Sequence, residues 1–257
     1  DSYISVIESI RHASWNLGAV PEISWLDAES YEKNPETLEE LSRYDGIIVP
    51  GGFGARGVEG KIKAIEFCRK NKIPYLGLCY GLQLAVVEFA RNVCGLTGAH
   101  TTEVNPGTEH PVIHTMPEQE VNIREKRLGG SMRLGAYNCE LEPDTKSANA
   151  YGASLISERH RHRYEVNNEY RETLEKNGLV VAGINPERNL VEIIELKDHP
   201  FFVGTQFHPE FKSRLLHPHP LFRGFVNAAR ERGAMKRGHS PLSQTGATHQ
   251  IESSAAL

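Results

Sequence analysis

The sequence predicts an α/β fold in which a mostly parallel central sheet is flanked by helices, giving three layers. Two continuous apolar runs, at residues 46–49 and 73–78, predict strands that are buried on both faces. Segments with helical spacing of apolar residues alternate with these runs, at 61–72 and 82–93. Because such alternation places parallel strands side by side, we expect a ligand site at the carboxyl edge of the sheet.

The other elements before residue 98 are predicted from local patterns. Apolar residues recur at intervals of three and four from Val6 to Leu17, which predicts a helix over 5–17. The pattern then predicts, in order, a strand at 22–26, a short helix at 37–43 and, after the strand at 46–49, a glycine-rich turn at 51–60.

The second half of the chain begins with an irregular stretch. Residues 98–133 are rich in Thr, Glu, Pro and Gly and are predicted to form loops and strand ends over the site, with a flexible point at Leu128, Gly129 and Gly130. The regular elements predicted after it are strands at 180–184, 191–196 and 201–207, and a helix at 221–232. Large apolar residues are scarce from 233 to 257, so we expect a disordered tail there.

Composition excludes several function classes. The 29 Lys and Arg residues against 33 Asp and Glu give a net charge of -4, which does not favour nucleic acid or an anionic membrane as a partner. No apolar run approaches the ~18 to 20 residues that span a bilayer, and the N-terminus lacks the pattern of a secretory signal, so we expect a cytoplasmic protein. The four cysteines and twelve histidines show no metal-ligand spacing, and we expect no metal site.

Cys79 is the strongest candidate for a catalytic group. It stands between Gly77 and Gly81, at the junction of a predicted buried strand and a predicted helix. This is the pattern of a nucleophile elbow with Cys in place of Ser, and the N-terminus of the following helix favours a thiolate. The alternative is a buried structural cysteine at the end of a strand.

His208 and Glu210 supply the other two groups that such chemistry needs. Both follow the predicted strand at 201–207 and therefore lie at the same sheet edge as Cys79. A histidine can relay a proton between nucleophile and leaving group, while a carboxylate holds its ring in the correct tautomer. Pro209 fixes the backbone between them. A strand-end histidine beside a solvated glutamate is the alternative for these two residues alone.

A glycine turn follows the strand at 46–49, and it allows two interpretations. The backbone of residues 50–54 could approach a ligand closely, and an amide there could form an oxyanion hole with the N–H of Tyr80. Residues 55–62 partly match a phosphate loop. However, Ile62 stands where such a loop needs Ser or Thr, which argues against nucleotide phosphate binding.

Together, the elbow at Cys79, the segment with His208 and Glu210, and the glycine turn at 50–54 resemble the class I (triad) glutamine amidotransferases, and the resemblance extends over about residues 1–230. Longer phrases narrow the resemblance to the glutaminase domains of the CTP synthase family, and they lie at residues 50–57, 84–92, 129–135, 158–167 and 206–211. The resemblance implies a flavodoxin-like three-layer fold of the amidotransferase type.

The resemblance also implies an enzyme that hydrolyses L-glutamine to glutamate and ammonia. Cys79 would form a γ-glutamyl thioester, with His208 as proton relay and Glu210 as its orienting partner. By similarity, Gly52 and Tyr80 would line the oxyanion hole, while the substrate would be held by Gln83, Glu103 and Arg163. A carboxylate suits an α-ammonium group, and a guanidinium suits an α-carboxylate.

The resemblance further implies partners outside this chain. Residues 1–232 would form the amidotransferase domain without the strand that opens it in the family, and the synthetase domain would be absent. The full-length enzyme would be a homotetramer that aminates UTP to CTP, uses ATP and Mg²⁺, and is activated by GTP, whereas this domain needs no cofactor. The alternatives are a γ-glutamyl hydrolase, the subunit of another triad amidotransferase, or a catalytically silent module that keeps the fold.

Overall fold

The computed structural model describes residues 3–115 and 132–238. Its strands are β1 Ile47–Val49, β2 Tyr75–Leu78, β3 His100–Thr101, β4 Pro111–Thr115, β5 Arg133–Leu141, β6 Leu155–His162, β7 Tyr164–Val166, β8 Leu179–Asn185, β9 Leu190–Leu196 and β10 Phe202–Thr205. Its α-helices are α1 Ile4–Asn16, α2 Ala28–Lys33, α3 Val58–Lys70, α4 Tyr80–Asn92, α5 Lys146–Tyr151, α6 Arg171–Lys176 and α7 Pro220–Lys236. Three 3-10 helices in the described residues span Pro35–Arg43, Asn168–Tyr170 and Pro209–Phe211.

The main sheet confirms the α/β class but is mixed rather than mostly parallel. Within the described residues its seven strands follow the order β1-β2-β10-β9-β8-β5-β6. The pairs β1/β2 and β2/β10 are parallel, whereas the four pairs from β10 to β6 are antiparallel. The expectation of parallel strands fails beyond β10 because β8 and β9 are joined by a short turn, as antiparallel neighbours can be.

Two apolar clusters on opposite faces of this sheet form the three layers. On one face, α3 and α4 pack against Ile47, Val49 and Phe202. On the other face, α1 and α7 pack against Leu76 and Val203. Because successive side chains of a strand point to opposite faces, neighbouring residues of β10 belong to different clusters. No helix among the described residues is long and apolar enough to cross a membrane.

Most predicted elements are present within a few residues of their predicted bounds. The predicted strand at 22–26 is wrong: these residues form no regular element, and no strand in the described part of the chain pairs with them. The helix predicted at 37–43 is a 3-10 helix that begins at Pro35. The last helix continues to Lys236, inside the predicted tail. The flexible point at 128–130 and the rest of the predicted tail, 239–257, lie outside the described residues.

The stretch predicted as loops contains a second, small sheet. Among the described residues it has the order β3-β4-β7, with β3 parallel and β7 antiparallel to β4. The buried residues Val112 and Ile113 of β4 join the apolar cluster on the α3/α4 face. Glu103 follows β3 by two residues and Arg163 directly precedes β7, so this sheet places both near the carboxyl edge that holds Cys79.

Candidate active site

Cys79 lies in a strained turn between β2 and α4. Its backbone angles, φ 50° and ψ -95°, are unusual for a residue with a side chain. A Cβ on Gly77 would lie 2.7 Å from the hydroxyl of Tyr75, and one on Gly81 would lie 2.2 Å from the carbonyl oxygen of Val49. Glycine is therefore required on both sides of the cysteine, and the geometry is that of the predicted elbow.

The elbow is tied to the neighbouring strand. The N–H of Cys79 donates to the carbonyl oxygen of Thr205, at the end of β10, over 2.6 Å. Because His208 follows β10 by three residues, this bond sets the distance between the elbow and the histidine. The Cys79 side chain is nearly buried, with 4% of the residue exposed.

His208 and Glu210 form a buried pair beside the elbow. The Nδ1 atom of His208 lies 2.7 Å from Oε1 of Glu210, and the ring stacks on Phe211 with centroids 4.8 Å apart. Burial disfavours the imidazolium, but the interactions with Cys79 and Glu210 outweigh it and raise the pKa of His208 to about 10. Within the described part of the chain Nε2 has no hydrogen-bond partner, and this side of the ring faces Cys79.

Gly51 lies against the side chains of both Cys79 and His208. A Cβ at this position would stand 2.8 Å from Cε1 of His208 and 3.7 Å from the Cβ of Cys79. The glycine turn therefore packs directly on the histidine. A Cβ on Gly52, by contrast, would lie 3.6 Å from the ring of Tyr80, which is ordinary contact.

The rest of the glycine turn is held by two predicted site residues. The N–H of Gly54 donates to Oε1 of Glu103 over 2.9 Å, and the Tyr80 hydroxyl donates to the carbonyl oxygen of Gly54 over 2.6 Å. Burial raises the pKa of Glu103, while this N–H and the charge of Arg163 oppose the rise. The structure thus brings Tyr80 and Glu103 to Gly54, and Arg163 lies close enough to Glu103 to influence the pKa of its carboxyl group.

Gln83, one turn into α4, makes its amide contacts within the protein. Its Nε2 donates to the carbonyl oxygen of Tyr164 over 2.9 Å and to Oε1 of Gln206 over 3.3 Å. Nε2 of Gln206 in turn lies 3.8 Å from the Sγ of Cys79. Gln206 was not predicted as a site residue, although it precedes His208 by two positions in one of the phrases that carry the resemblance.

A buried cluster of charged side chains around Arg133 was also not predicted from the sequence. Arg133 is 2% exposed and donates to Glu165 over 3.3 Å and to Glu192 over 2.8 Å. Burial, which Arg133 only partly offsets, raises the pKa of Glu165 to about 8 and the pKa of Glu192 to about 7. His160 and His162 lie beside them, with ring nitrogens 2.8 Å apart, and burial lowers the pKa of both.

The signal for this cluster is the alternation of residues 158–162. On β6, Glu158, His160 and His162 are buried, whereas Arg159 and Arg161 are exposed. Period-two alternation of this kind is typical of a strand with one covered face. The basic residues in the run therefore face away from the histidines.

The phosphate-loop alternative does not fit the geometry. The N–H groups of Glu59 and Gly60, at the start of α3, donate to the carboxylate of Glu32. A Cβ on Gly60 would lie 1.8 Å from the carbonyl oxygen of Ala28, so the glycine serves the packing of α2 on α3. A carboxylate thus already holds the amides that a phosphate would need.

No metal centre is formed by the side chains of residues 3–115 and 132–238. Among them, no group of three or more His, Cys, Asp or Glu side chains is placed to hold a metal ion.

Comparisons with known proteins show which family the chain belongs to. The family described as "Glutamine amidotransferase class-I" matches residues 1–228. A CTP synthase of Caldanaerobacter subterraneus subsp. tengcongensis is 59% identical over 229 residues, which are 89% of this chain and 42% of the relative. A CTP synthase of Bacillus subtilis is 52% identical over 236 residues, 92% of this chain and 43% of the relative. The chain therefore spans about two fifths of the length of these relatives.

Two solved structures are similar to the chain. The glutaminase domain of Trypanosoma brucei CTPS, with bound acivicin, is 38% identical, has a TM-score of 0.84, and is matched over 90% of this chain and 88% of its own. A protein from Thermoplasma acidophilum, described as a GMP synthase component, is 17% identical with a TM-score of 0.56, over 90% of this chain and 92% of its own. The second likeness concerns the fold alone.

Proposed function

Because the chain belongs to the class I glutamine amidotransferase family and, within it, to the glutaminase domains of CTP synthases, we propose that it hydrolyses L-glutamine at Cys79. One observation carries the proposal. The strained cysteine faces a histidine whose other ring nitrogen is held at 2.7 Å by a buried carboxylate. This arrangement has the three parts of a nucleophile, a proton relay and an orienting partner.

The mechanism assigns one task to each of these groups. The Cys79 thiolate attacks the carbon of the substrate's side-chain amide, and the imidazolium of His208 protonates the departing ammonia, leaving a γ-glutamyl thioester. His208 then takes a proton from the water that attacks the thioester; cleavage of the C–S bond releases glutamate and restores the Cys79 thiolate beside the His208 imidazolium. Glu210 keeps the ring in place and stabilises its positive charge through both steps.

The oxyanion that forms in both steps needs fixed donors. The N–H of Tyr80 begins α4 directly after the nucleophile, and the N–H of Gly52 belongs to the turn that packs against His208. Each such donor is worth roughly 10²–10³ in rate. Since both are backbone groups of anchored turns, they are preorganised before substrate arrives.

The side chains around the glycine turn would bind the α-ammonium and α-carboxylate groups of glutamine. Glu103 carries the carboxylate for the α-ammonium, and the guanidinium of Arg163 is suited to the α-carboxylate. The mutual electrostatic influence of the two side chains supports a shared substrate cradle. Gln83 borders the same cradle and is 2% exposed.

For the whole protein we propose that the ammonia serves the amination of UTP to CTP. The names of the relatives support this step, and the synthetase half of such a protein would supply the site for UTP, ATP and Mg²⁺. Activation by GTP, a homotetrameric assembly and a cytoplasmic location belong to the same proposal. A γ-glutamyl hydrolase or the subunit of another triad amidotransferase remains the alternative interpretation of the triad alone.

Ammonia release from glutamine by the purified protein tests the proposal. Wild type should turn over, Cys79→Ala should not, and a glutamine-analogue alkylator should label Cys79 as detected by peptide mass spectrometry. Cys94→Ala is the matched control, because Cys94 is partly buried and its Sγ contacts the carbonyl oxygen of Thr173 instead of the site. Turnover that persists in Cys79→Ala would overturn the proposal.

A second assay distinguishes a γ-glutamyl hydrolase from a CTP synthase. A γ-glutamyl hydrolase would cleave γ-glutamyl peptides, whereas a CTP synthase would form CTP from UTP, ATP and glutamine when its synthetase half is present. Cleavage of γ-glutamyl peptides without CTP formation would favour the hydrolase.

A further inference from the structure

Gln206 is a fully buried carboxamide next to the sulfur of Cys79. It follows β10 directly, and its backbone N–H donates to the carbonyl oxygen of Glu192 over 2.8 Å. Its residue exposure is 0%. In its terminal amide group, Nε2 lies 3.8 Å from the Sγ of Cys79, and Oε1 lies 3.3 Å from Nε2 of Gln83.

The orientation of the Gln206 amide follows from its neighbours. A carbonyl oxygen can only accept, so the 2.9 Å contact with the Tyr164 carbonyl requires Gln83 to present its NH₂ group. The same NH₂ group faces Gln206 and requires an oxygen there. Gln206 must then turn its own NH₂ group toward the sulfur. The Tyr164 carbonyl, as an acceptor, thus fixes the Gln83 amide, and the Gln83 amide fixes that of Gln206 with an N–H directed at Cys79.

We propose that Gln206 is a catalytic residue that donates a hydrogen bond to the Cys79 thiolate, and that Gln83 fixes the orientation of its amide. The proposal rests on Cys79 being the nucleophile of the proposed function. A hydrogen bond to an ionised sulfur is stronger than one to a neutral thiol, so the donor increases the thiolate population when the thiol proton passes to Nε2 of His208. The two groups act on the sulfur together, one as proton acceptor and the other as a fixed dipole.

This role gives Gln206 a different task from that of the triad. His208 changes its protonation in each step, whereas a carboxamide does not titrate and keeps its donor in place throughout. Once the thioester has formed, its sulfur is a poor acceptor and the bond weakens. The bond therefore favours the return of the thiolate when the thioester is hydrolysed.

Alkylation of Cys79 by iodoacetamide tests the proposal without glutamine. This reagent lacks the α-amino and α-carboxyl groups, so its rate reports the sulfur and is independent of substrate recognition. In Gln206→Met the rate at pH 7, measured on the Cys79 peptide by mass spectrometry, should fall about tenfold, the lower end for a hydrogen bond to a charged group. The deficit should close at high pH, where the thiol ionises without help. Gln83→Met should change the rate in the same direction by a smaller factor.

Asn185→Leu is the matched control, because Asn185 is also a fully buried carboxamide and its Nδ2 donates to the carbonyl oxygen of Asn138, away from Cys79. Its alkylation rate should equal that of wild type at every pH. If Gln206→Met does not fold by circular dichroism, Gln206→Asn is the second variant. It keeps a carboxamide but is shorter by one CH₂ group, so its N–H is withdrawn from the sulfur and alkylation at pH 7 should also slow.

Two results would overturn the proposal: alkylation of Gln206→Met at the wild-type rate at pH 7, or a deficit that is the same at all pH values and so reports obstruction. Failure of the proposed function is a separate result. It would show in the wild type itself, as absence of glutamine hydrolysis while alkylation still slows in Gln206→Met.

Discussion

Replacing Gly51 with alanine tests how closely the glycine turn controls the histidine. The added Cβ would lie 2.8 Å from Cε1 of His208, whereas ordinary contact begins at 3.4 Å. The ring must therefore retreat by roughly 0.6 Å, the difference between these two distances. It cannot do so freely, because Nδ1 is bonded to Glu210 at 2.7 Å and the ring is stacked on Phe211.

A displacement of this size should cost most of the activity. Misplacement by 1 Å can reduce a rate about 10²-fold, so a shift of more than half that distance should lower kcat for glutamine by roughly 10- to 100-fold. The crowding should also lower the free energy of unfolding by about 1–3 kcal/mol. Steady-state ammonia release measures the first effect, and urea denaturation measures the second.

Gly52→Ala is the comparison for this experiment. Its Cβ would meet the Tyr80 ring at 3.6 Å, its φ is not in the left-handed region, and the backbone N–H is retained. We therefore expect a distinctly smaller loss of kcat than in Gly51→Ala. A Gly51→Ala variant with wild-type kcat, or equal losses in both variants, would refute the idea that Gly51 is required by its contact with the histidine.

Four further outcomes follow from the structure. Glu210→Gln should lower the pKa of His208 from about 10, because the carboxylate that favours the imidazolium is lost. NMR titration of the imidazole measures this pKa, and an unchanged pKa would contradict the pairing of His208 with Glu210. Glu103→Gln should raise KM for glutamine by about 10- to 100-fold with a small change in kcat, because the amide keeps the acceptor for the Gly54 N–H but lacks the negative charge. An unchanged KM in steady-state kinetics would count against the role of Glu103 in binding the α-ammonium group. Arg133→Met should reduce the free energy of unfolding by about 3–5 kcal/mol in urea denaturation, because two buried carboxyl groups lose their cation. A loss below about 1 kcal/mol would be inconsistent with a stabilising role of Arg133 between these two groups. In the wild type the pKa of Glu165 is raised from 4.5 to about 8, so the protonated carboxyl group stabilises the fold at low pH, and this stabilisation is lost as pH rises through that range. In Glu165→Gln the free energy of unfolding should therefore decline less steeply over the same pH range. Parallel plots of unfolding free energy against pH for the two proteins would disprove the assignment.

The part of the fold that was predicted correctly is the part with strong local signals. The strands β1, β2 and β10 are short, largely apolar runs, as expected for strands that are covered on both faces. The elbow at Cys79 was recognisable because its backbone geometry permits only glycine at positions 77 and 81. In both cases the physical constraint acts on residues that are adjacent in the sequence.

The missed features depend on partners that are distant in the sequence. Strand β6 carries Arg and His, so it looks like a charged surface segment until side chains from other elements, such as Phe207 and His219, pack on one of its faces. Arg133 is buried only because Glu165 and Glu192 reach it from two other strands. The contact of Gln206 with Cys79 joins residues 127 positions apart. The alternation along β6 can indicate that one face is covered, but no local pattern identifies the distant residues that cover it.

Antiparallel pairings that the sequence did not predict hold the segment around His208 in place. After β10 the chain leaves the parallel pairing, and the N–H of Gln206 donates to the carbonyl oxygen of Glu192 on β9. Two residues later the N–H of His208 donates to the carbonyl oxygen of Arg159 on β6, over 2.8 Å. The histidine is thus positioned from one side by the elbow on the parallel strands and from the other by β6 and β9. Arg133 on β5 links Glu165 on β7 to Glu192 on β9, and the backbone of Glu192 also accepts the N–H of Gln206. Under the proposed function, the charged cluster would therefore help to position His208 as the proton relay.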